Sequence, residues 1–566
     1  MQPEGPSAMK ILILGGYGVF GGRLAGLLAD IDGLNILIAG RSSEKAREFC
    51  HRWAGQATAT PVVADRTGIA AVLSREKPDL IVDASGPFQA YGAGPYGVAE
   101  AAIAAGVNYL DFADASDFVF GIGGLDARAR DAGVFVLSGV SSFPVLTSAV
   151  IAELAKDMDV RRVAGGIAPS PYAGVGMNVM RAVLSYGGQD VTMIRDGRET
   201  TGVGLAETRR YTIAPPGELP LRNTMFSLVD VPDLRVIPAE RPGITDLWMG
   251  AGPVPEGLHR MLVLLARLRH GLRLPNLRPL APLCYSVLNA VRFGEHRGGL
   301  FVEAEGIRGG RPVRRSWHLL AEGDDGPYIP SMAIEAIIRR GLTGCWPAAG
   351  ARPASGELDL SDYAKVFAGR AIRTGRREEH ADSAYPTVLG SAFDRLPPVM
   401  QSLHRPGPRA VWRGEAEVRR GRGRIAALIA SIFGFPEAGG AVPVEVTFTT
   451  DANGRETWSR RFGGRLMQST QEAGTGRDQH LIVERFGPFA FALALVWDDS
   501  RLRIIPRHWR LFGLPLPRAL MPVDDSHETL RDGSFRFHVE ISVPLIGEVV
   551  RYDGWLLPEE RAATPA

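Results

Sequence analysis

A chain of 566 residues is too long for one compact core, and at roughly 150 residues per domain it divides into three or four units. Its 45% hydrophobic and 22% charged residues are those of a globular chain and exclude a disordered or fibrous protein. A formal net charge of +2 carried by scattered arginines leaves no basic footprint for nucleic acid. Three widely separated cysteines, Cys50, Cys284 and Cys345, speak against a disulfide framework and a Cys-based zinc site, so no metal is expected.

Residues 1–8 lack the cationic start and apolar run of a secretory signal, and no apolar stretch reaches the 18 or so residues that span a bilayer. A reducing cytoplasm fits. From residue 9 to 155, apolar runs at 10–14, 34–39, 60–64, 80–84, 108–112 and 134–137 alternate with helix-like segments beginning near Val19, Ser43, Thr67, Pro95, Leu125 and Val145. That alternation implies an α/β fold, a doubly wound Rossmann sheet of parallel strands with crossover helices.

Within it, the segment KILILGGYGVFGG places Gly16, Gly18 and Gly21 directly after an apolar strand and before a helix. One glycine makes the tight turn, one admits a pyrophosphate to the backbone, and one lets the helix pack on the sheet; Tyr17, Val19 and Phe20 share the loop and the helix N-terminus, whose free N–H groups attract phosphate. The alternative is a merely glycine-rich turn. Where an NAD-specific domain ends its second strand in an acid, this chain reads Ala39-Gly40-Arg41-Ser42. Arg41 can pair with a 2′-phosphate and Ser42 can cap the following helix, which favours NADP over NAD; alternatively Arg41 is a solvated surface charge. Asp65 after the third strand is placed for the adenine, and Ser85, Gly86 and Pro87 after the fourth for the nicotinamide ribose, although each is also a common turn former.

None of the five lysines has a tyrosine four residues earlier, which excludes a short-chain dehydrogenase. Only His51 occurs in the first 250 residues, so a histidine acid or base comes from later, for example His296 or His318. Asp111, ending the fifth strand, is the preferred proton-handling residue, with a structural cap as its alternative.

Residues 156–370 read as an α+β domain with a hairpin from 300–306 to 313–321 around Gly309 and Gly310. Residues 258–273 read as a helix in which Leu258, Met261, Leu262, Leu265 and Leu268 share one face, flanked by Arg260, Arg267 and His270. Such a helix either lies in a membrane interface or packs against its own domain or a homodimer partner. A polar linker is expected over 370–384, and residues 385–557 form a β-rich domain after a helix near 391–404. There, strands alternate around Asn453-Gly454, and Phe535, Phe537, Val539 and Ile541 alternate with Arg536, His538, Glu540 and Ser542 to give one apolar and one polar face. Trp458, Arg460 and Arg461 could form an anion-recognising face or simply divide core from solvent.

The order GGYGVFGG, IAGRSSEKA, SGPFQAYG, AAIAAGVNYLDF and RDAGVFVLSG resembles the NADP-binding domain of the saccharopine dehydrogenase-like family, and 300–367 resembles that family's second domain. The resemblance implies hydride chemistry at a C–N or C=C bond. Family members commonly carry Asp-Ser-x-Pro-Ser-Asp after the sixth strand. This chain reads Ser141-Ser142-Phe143-Pro144-Val145-Leu146, and the lost acids suit a less polar substrate, as in the family's trans-acting enoyl reductases. YPTVLGSAFDRLPPVMQSLH, ETWSRRFGG, ERFGPFAF, LFGLPLP and YDGWL are similar to a C-terminal domain of unknown function fused to such reductases. The expectation is an NADP(H)-dependent oxidoreductase acting on a small or lipid-like imine or enoyl substrate. The rival is a non-catalytic NADP(H) sensor or scaffold with a ligand-binding C-terminal module.

Overall fold

The computed structural model describes residues 9–559 apart from 93, 175, 254, 291–292, 379–382 and 452–454. The chain forms two compact units: one holds the chain up to Ile372 except for Arg210–Thr224, and the other joins that excepted segment to the chain from Arg373 onward.

The first unit begins with the expected parallel sheet. Strands β1 (Lys10–Leu14), β2 (Asn35–Gly40), β3 (Thr58–Val63), β4 (Leu80–Asp83), β5 (Asn108–Asp111) and β6 (Phe135–Ser138) lie in the order β6-β5-β4-β1-β2-β3, with all neighbours parallel. Ile11, Leu12, Ile13 and Leu14 are all buried, as befits strands with helices on both faces. A seventh strand, Gly350–Pro353, pairs in parallel with β6 and is supplied from some 200 residues further along the chain. Helix Ile329–Leu342 also returns to this domain. Arg339 donates to the Leu27 carbonyl at 2.9 Å and to Asp30 at 2.7 Å, and Ser331 donates to the Phe20 carbonyl at 3.3 Å, against helix α1 (Val19–Leu27). The domain built on this parallel sheet is therefore discontinuous: residues 329–353 join the span read as 9–155.

The rest of this unit is built on β7 (Asp159–Ala168), which lies between Asp246–Ala251, parallel to it, and Gly298–Arg308, antiparallel. The expected hairpin runs from Gly298–Arg308 to Arg311–Ala321, with Gly309 and Gly310 at φ +56° and +79°, the left-handed pair that a two-residue turn requires. A Cβ on Gly166 of β7 would lie 2.8 Å from both Phe226 and Phe301, so only glycine admits that crossed ring pair to the core.

The helix expected over 258–273 spans Glu256–Leu272, but its faces differ from the expected ones. His259, Leu262, Val263, Ala266 and Arg269 are buried, while Met261, Leu264, Leu268 and Leu272 are exposed. Arg269 turns inward because the Ser185 and Gly187 carbonyls accept from its guanidinium, and Arg267 donates to the Ala206 carbonyl. Among the described residues, no helix is long and apolar enough to cross a membrane.

In the second unit the linker expected over 370–384 is corrected for the residues up to Glu378, while 379–382 lie outside the described residues. Ile372–Glu378 is a strand, and its Arg377 is buried, donating to the Ala214 carbonyl at 2.6 Å and the Val388 carbonyl at 2.7 Å. Its charge misled the sequence reading, because a buried guanidinium satisfied by carbonyls looks like a solvated one. After short helices at Ala384–Leu389 and Pro398–His404, ten antiparallel strands close on themselves. In order they are Arg409–Arg420, Gly439–Thr450, Glu456–Phe462, Arg465–Ala473, Ile482–Phe486, Phe489–Trp497, Arg501–Leu511, Ser526–Arg531, Ser534–Val543 and Gly547–Pro558, the last pairing with the first. Closure leaves none of the ten with an unpaired edge. The Asn453-Gly454 turn lies outside the described residues; the strands flanking it are paired.

Candidate functional site

The strands of a doubly wound sheet end together, and ligands bind outside those ends. Gly15 and Gly16 both donate to the Ala39 carbonyl, at 2.8 and 3.0 Å, which binds the turn after β1 to the end of β2. A Cβ on Gly16 would lie 2.9 Å from the Ile13 carbonyl oxygen and one on Gly21 only 2.4 Å from that of Gly15, so the loop and α1 close on each other only because both are glycine. Gly18 is the N-cap of α1 and provides no side-chain cap, while Val19 is exposed. The first N–H groups of α1 thus stay available to an anion. Phe20 faces inward, its ring stacked 5.6 Å from that of Phe112 at the end of β5.

Tyr17 lies across the end of β2, and its ring would collide with any Cβ on Gly40, at 2.5 Å. Its hydroxyl accepts the Ser42 N–H at 2.9 Å, and Ser42 in turn caps helix α2 (Ser43–His51) by accepting from Lys45 N. Arg41 remains exposed beside them. Asp65 accepts from Thr67 and the Gly68 N–H, at 2.8 and 2.7 Å, which makes it the exposed cap of a turn; these bonds and the nearby Arg41 hold its carboxyl below the usual range.

After β4, Ser85 donates from its hydroxyl at 2.6 Å and its N–H at 2.9 Å to Asp83, which is fully buried, and the Tyr91 hydroxyl takes the other Asp83 oxygen at 3.0 Å. Gly86 offers its carbonyl to Asn178 at 3.1 Å, and the peptide to Pro87 is cis.

Asp111 requires a correction. It is completely buried, and one of its oxygens accepts from Ala113 N at 2.9 Å, Gly139 N at 2.7 Å and Ser138 Oγ at 3.1 Å. It ties the end of β5 to the end of β6, and a side chain with no exposed surface cannot reach a substrate. Burial pushes its carboxyl up to about 7. A strand-terminal acid facing the cofactor edge and one folded back beneath it are identical in sequence.

Three groups that the sequence reading missed stand nearer the open end. Asp114, three residues beyond β5, is exposed, and the protein packed around it raises its carboxyl; Gln89 donates to it at 3.1 Å. Asp230 is half-buried, accepts from Ser116 at 2.5 Å, and is also raised by burial. The two acids raise each other's neighbour Tyr186, whose phenol is pushed far above its ordinary range, chiefly by burial. The motif-based signal for these residues was weak, because Asp230 and Tyr186 come from the second domain and have no fixed spacing from the glycine loop. His296 stacks on Tyr172 at 3.6 Å, and His318 is buried in the sheet beside Ser316, at 2.8 Å.

A strand–turn–helix glycine loop at the open end of a parallel sheet defines a Rossmann fold. Residues 11–137 match the family model described as the saccharopine dehydrogenase NADP binding domain, and residues 396–556 match a domain of unknown function, DUF4166. Among solved structures, the chain is similar to the L-Glu-forming saccharopine dehydrogenase of Saccharomyces cerevisiae, at 14% identity over 65% of this chain and 99% of that one, with a TM-score of 0.47. It is also similar to a probable dehydrogenase from Thermotoga maritima, at 10% identity over 65% of this chain and 98% of that one, with a TM-score of 0.32. An amine dehydrogenase from Mycobacterium smegmatis aligns at 15% identity over 44% of this chain and 81% of that one, with a TM-score of 0.27. No curated protein matches the sequence.

Proposed function

We propose that the chain is an NADP(H)-dependent oxidoreductase acting on an imine or enoyl bond of a small or lipid-like molecule. The observation that carries this reading is the open sheet edge itself. There the uncapped start of α1, solvent-facing Arg41 and the acids Asp114 and Asp230 occupy successive strand ends and the facing domain.

In this reading Gly16, Tyr17, Gly18, Val19, Phe20 and Gly21 form the loop that receives the pyrophosphate. Arg41 with Ser42 takes the 2′-phosphate, Asp65 borders the adenine, and Ser85, Gly86 and Pro87 border the nicotinamide ribose. The dinucleotide supplies the hydride. Asp114, whose carboxyl is raised by burial and by Asp230, is the group that exchanges a proton with the substrate nitrogen or carbon. We further propose that the exposed Met261, Leu264, Leu268 and Leu272 face meets a lipid surface from which an apolar substrate is drawn.

The test is loss of reduced-nicotinamide absorbance when the protein meets NADPH and a panel of cyclic imines and enoyl thioesters. Turnover with NADPH that falls about 10²–10⁴-fold in Asp114→Asn, with NADPH affinity unchanged, is the expected result. Tight NADPH binding without turnover of any member would favour the non-catalytic sensor instead.

A further inference from the structure

The ten-stranded barrel encloses a cavity of about 350 Å³, within the range of roughly 300–1,000 Å³ that holds small ligands. Alternation along the strands produces it: Phe535, Phe537, Val539 and Ile541 point inward, and Phe489, Phe491 and Trp458 join them on the wall. The cavity reaches the surface, because Leu520 both lines it and is 52% exposed. Helix Arg424–Ile432 adds a second sign of access. Its Ile429 lines the cavity, as does Phe433 at its end, while Ile425, Leu428 and Ile432 on the same helix face solvent.

The polar groups on this wall select what can enter. Arg460 is already bound, to Glu484 at 3.1 Å and Ser469 at 2.8 Å, and the same Glu484 oxygen accepts from Gln471 Nε2 at 3.0 Å. Glu528 is bound to the buried His404 at 2.5 Å. This corrects the anion-recognising face expected of Trp458, Arg460 and Arg461. Arg460 has spent its charge inside the barrel, and Arg461 lies on the other face of its strand, exposed. Besides the phenols of Tyr385 and Tyr552, what remains on the wall is acceptor chemistry. Gln471 Oε1 is buried without a hydrogen-bond partner among the described residues, and the carboxyl of Asp524 lies close enough to Glu484 to feel its charge. An unmet buried acceptor is destabilising until a donor reaches it. A carboxylate entering here would meet three acids and no spare cation.

We propose that the barrel is a binding site for an apolar molecule ending in a hydrogen-bond donor, a long-chain alcohol or amine, and that it rejects the corresponding carboxylate. The site rests on the barrel alone and stands whether or not the first unit turns over NADPH.

The full chain is titrated with dodecanol, dodecylamine and dodecanoate while the emission of cavity residues Trp458 and Trp509 is followed, with stoichiometry from calorimetry. One equivalent of alcohol or amine is expected to bind at least about tenfold more tightly than dodecanoate. If the amine binds more tightly than the alcohol and Asp524→Asn abolishes the difference, the head is cationic; if the two bind alike, it is a neutral donor. Val539→Trp, which fills the cavity, is expected to remove binding. Gln471→Leu, which removes the acceptor and keeps the volume, is expected to reduce the preference over dodecanoate and covers the case in which the filled variant does not fold. The proposal is overturned by no saturable binding of alcohol or amine, by dodecanoate binding as tightly as either, or by unchanged affinity in a folded Val539→Trp.

Discussion

Arg41 and Arg460 carry the same side chain into opposite settings. Arg41 stands exposed past the end of a strand, and Asp65, close enough to feel its charge, is occupied by its own turn. Arg460 lies within a closed barrel, held by Glu484 and Ser469. A guanidinium at an open sheet edge can take an anion from solution, whereas one enclosed in a barrel must be paired as the protein folds, because burying it alone would cost several kcal/mol. At its open sheet edge the first unit presents Arg41 outward, whereas the barrel encloses Arg460 and pairs it internally, leaving Gln471 Oε1 unmet among the described residues.

Within the first unit the acids differ in the same way, Asp114 exposed and Asp111 enclosed, and the largest expected effect tests the enclosed one. Asp111→Ala strands three donors at the end of β5 and β6, and is expected to cost about 3 kcal/mol or more in urea denaturation. A loss under about 1 kcal/mol would mean that Asp111 is not the tie described here. The folded carboxyl titrates at about 7 against an ordinary 3.8, so the folded state holds its proton more tightly. Its contribution is present at low pH and is lost as pH rises from near 4 to about 7. Asp111→Asn keeps an acceptor and removes the titration, so its stability relative to wild type is expected to be better at pH 8 than at pH 5.

Arg377→Ala tests whether an enclosed guanidinium is structural. Removing donors from the Ala214 and Val388 carbonyls is expected to cost about 2–4 kcal/mol and to leave NADPH affinity unchanged. At the open edge, Arg41→Ala is expected to weaken NADPH by about 1.5–3 kcal/mol in a binding titration and to leave NADH nearly unchanged. Equal losses for both would assign Arg41 to the solvated surface. The smallest effect on stability is expected from Leu264→Ser with Leu268→Ser, within about 0.5 kcal/mol of wild type because both are exposed. The same pair is expected to abolish flotation with anionic liposomes, and a wild-type protein that stays in the soluble fraction at low salt would end the membrane proposal.

Local rules made much of this legible beforehand. The glycine loop, the six strands and the Gly309-Gly310 hairpin depend on apolar periodicity and on residues that tolerate φ > 0, and these are properties of adjacent positions. The alternation at 535–542 also separated the cavity wall from the outside, although not that the strands would close around an empty space. What was misread has one cause. Asp111, Arg377 and Arg460 are all charged, and sequence places charge at the surface unless a partner can be named. Their partners are backbone groups or side chains from distant strands.

The amino-acid sequence by itself determined where strands and helices form, which strand ends could hold a dinucleotide, and that an arginine replaces the ribose-binding acid, since each of these is fixed by a few consecutive side chains. Only the tertiary structure decided that Gly350–Pro353 completes the first sheet, that Asp114 and Asp230 rather than Asp111 stand at its open end, and that the last ten strands close into a barrel. Those outcomes depend on which distant segments satisfy one another's hydrogen bonds and apolar faces, and no local spacing records that choice.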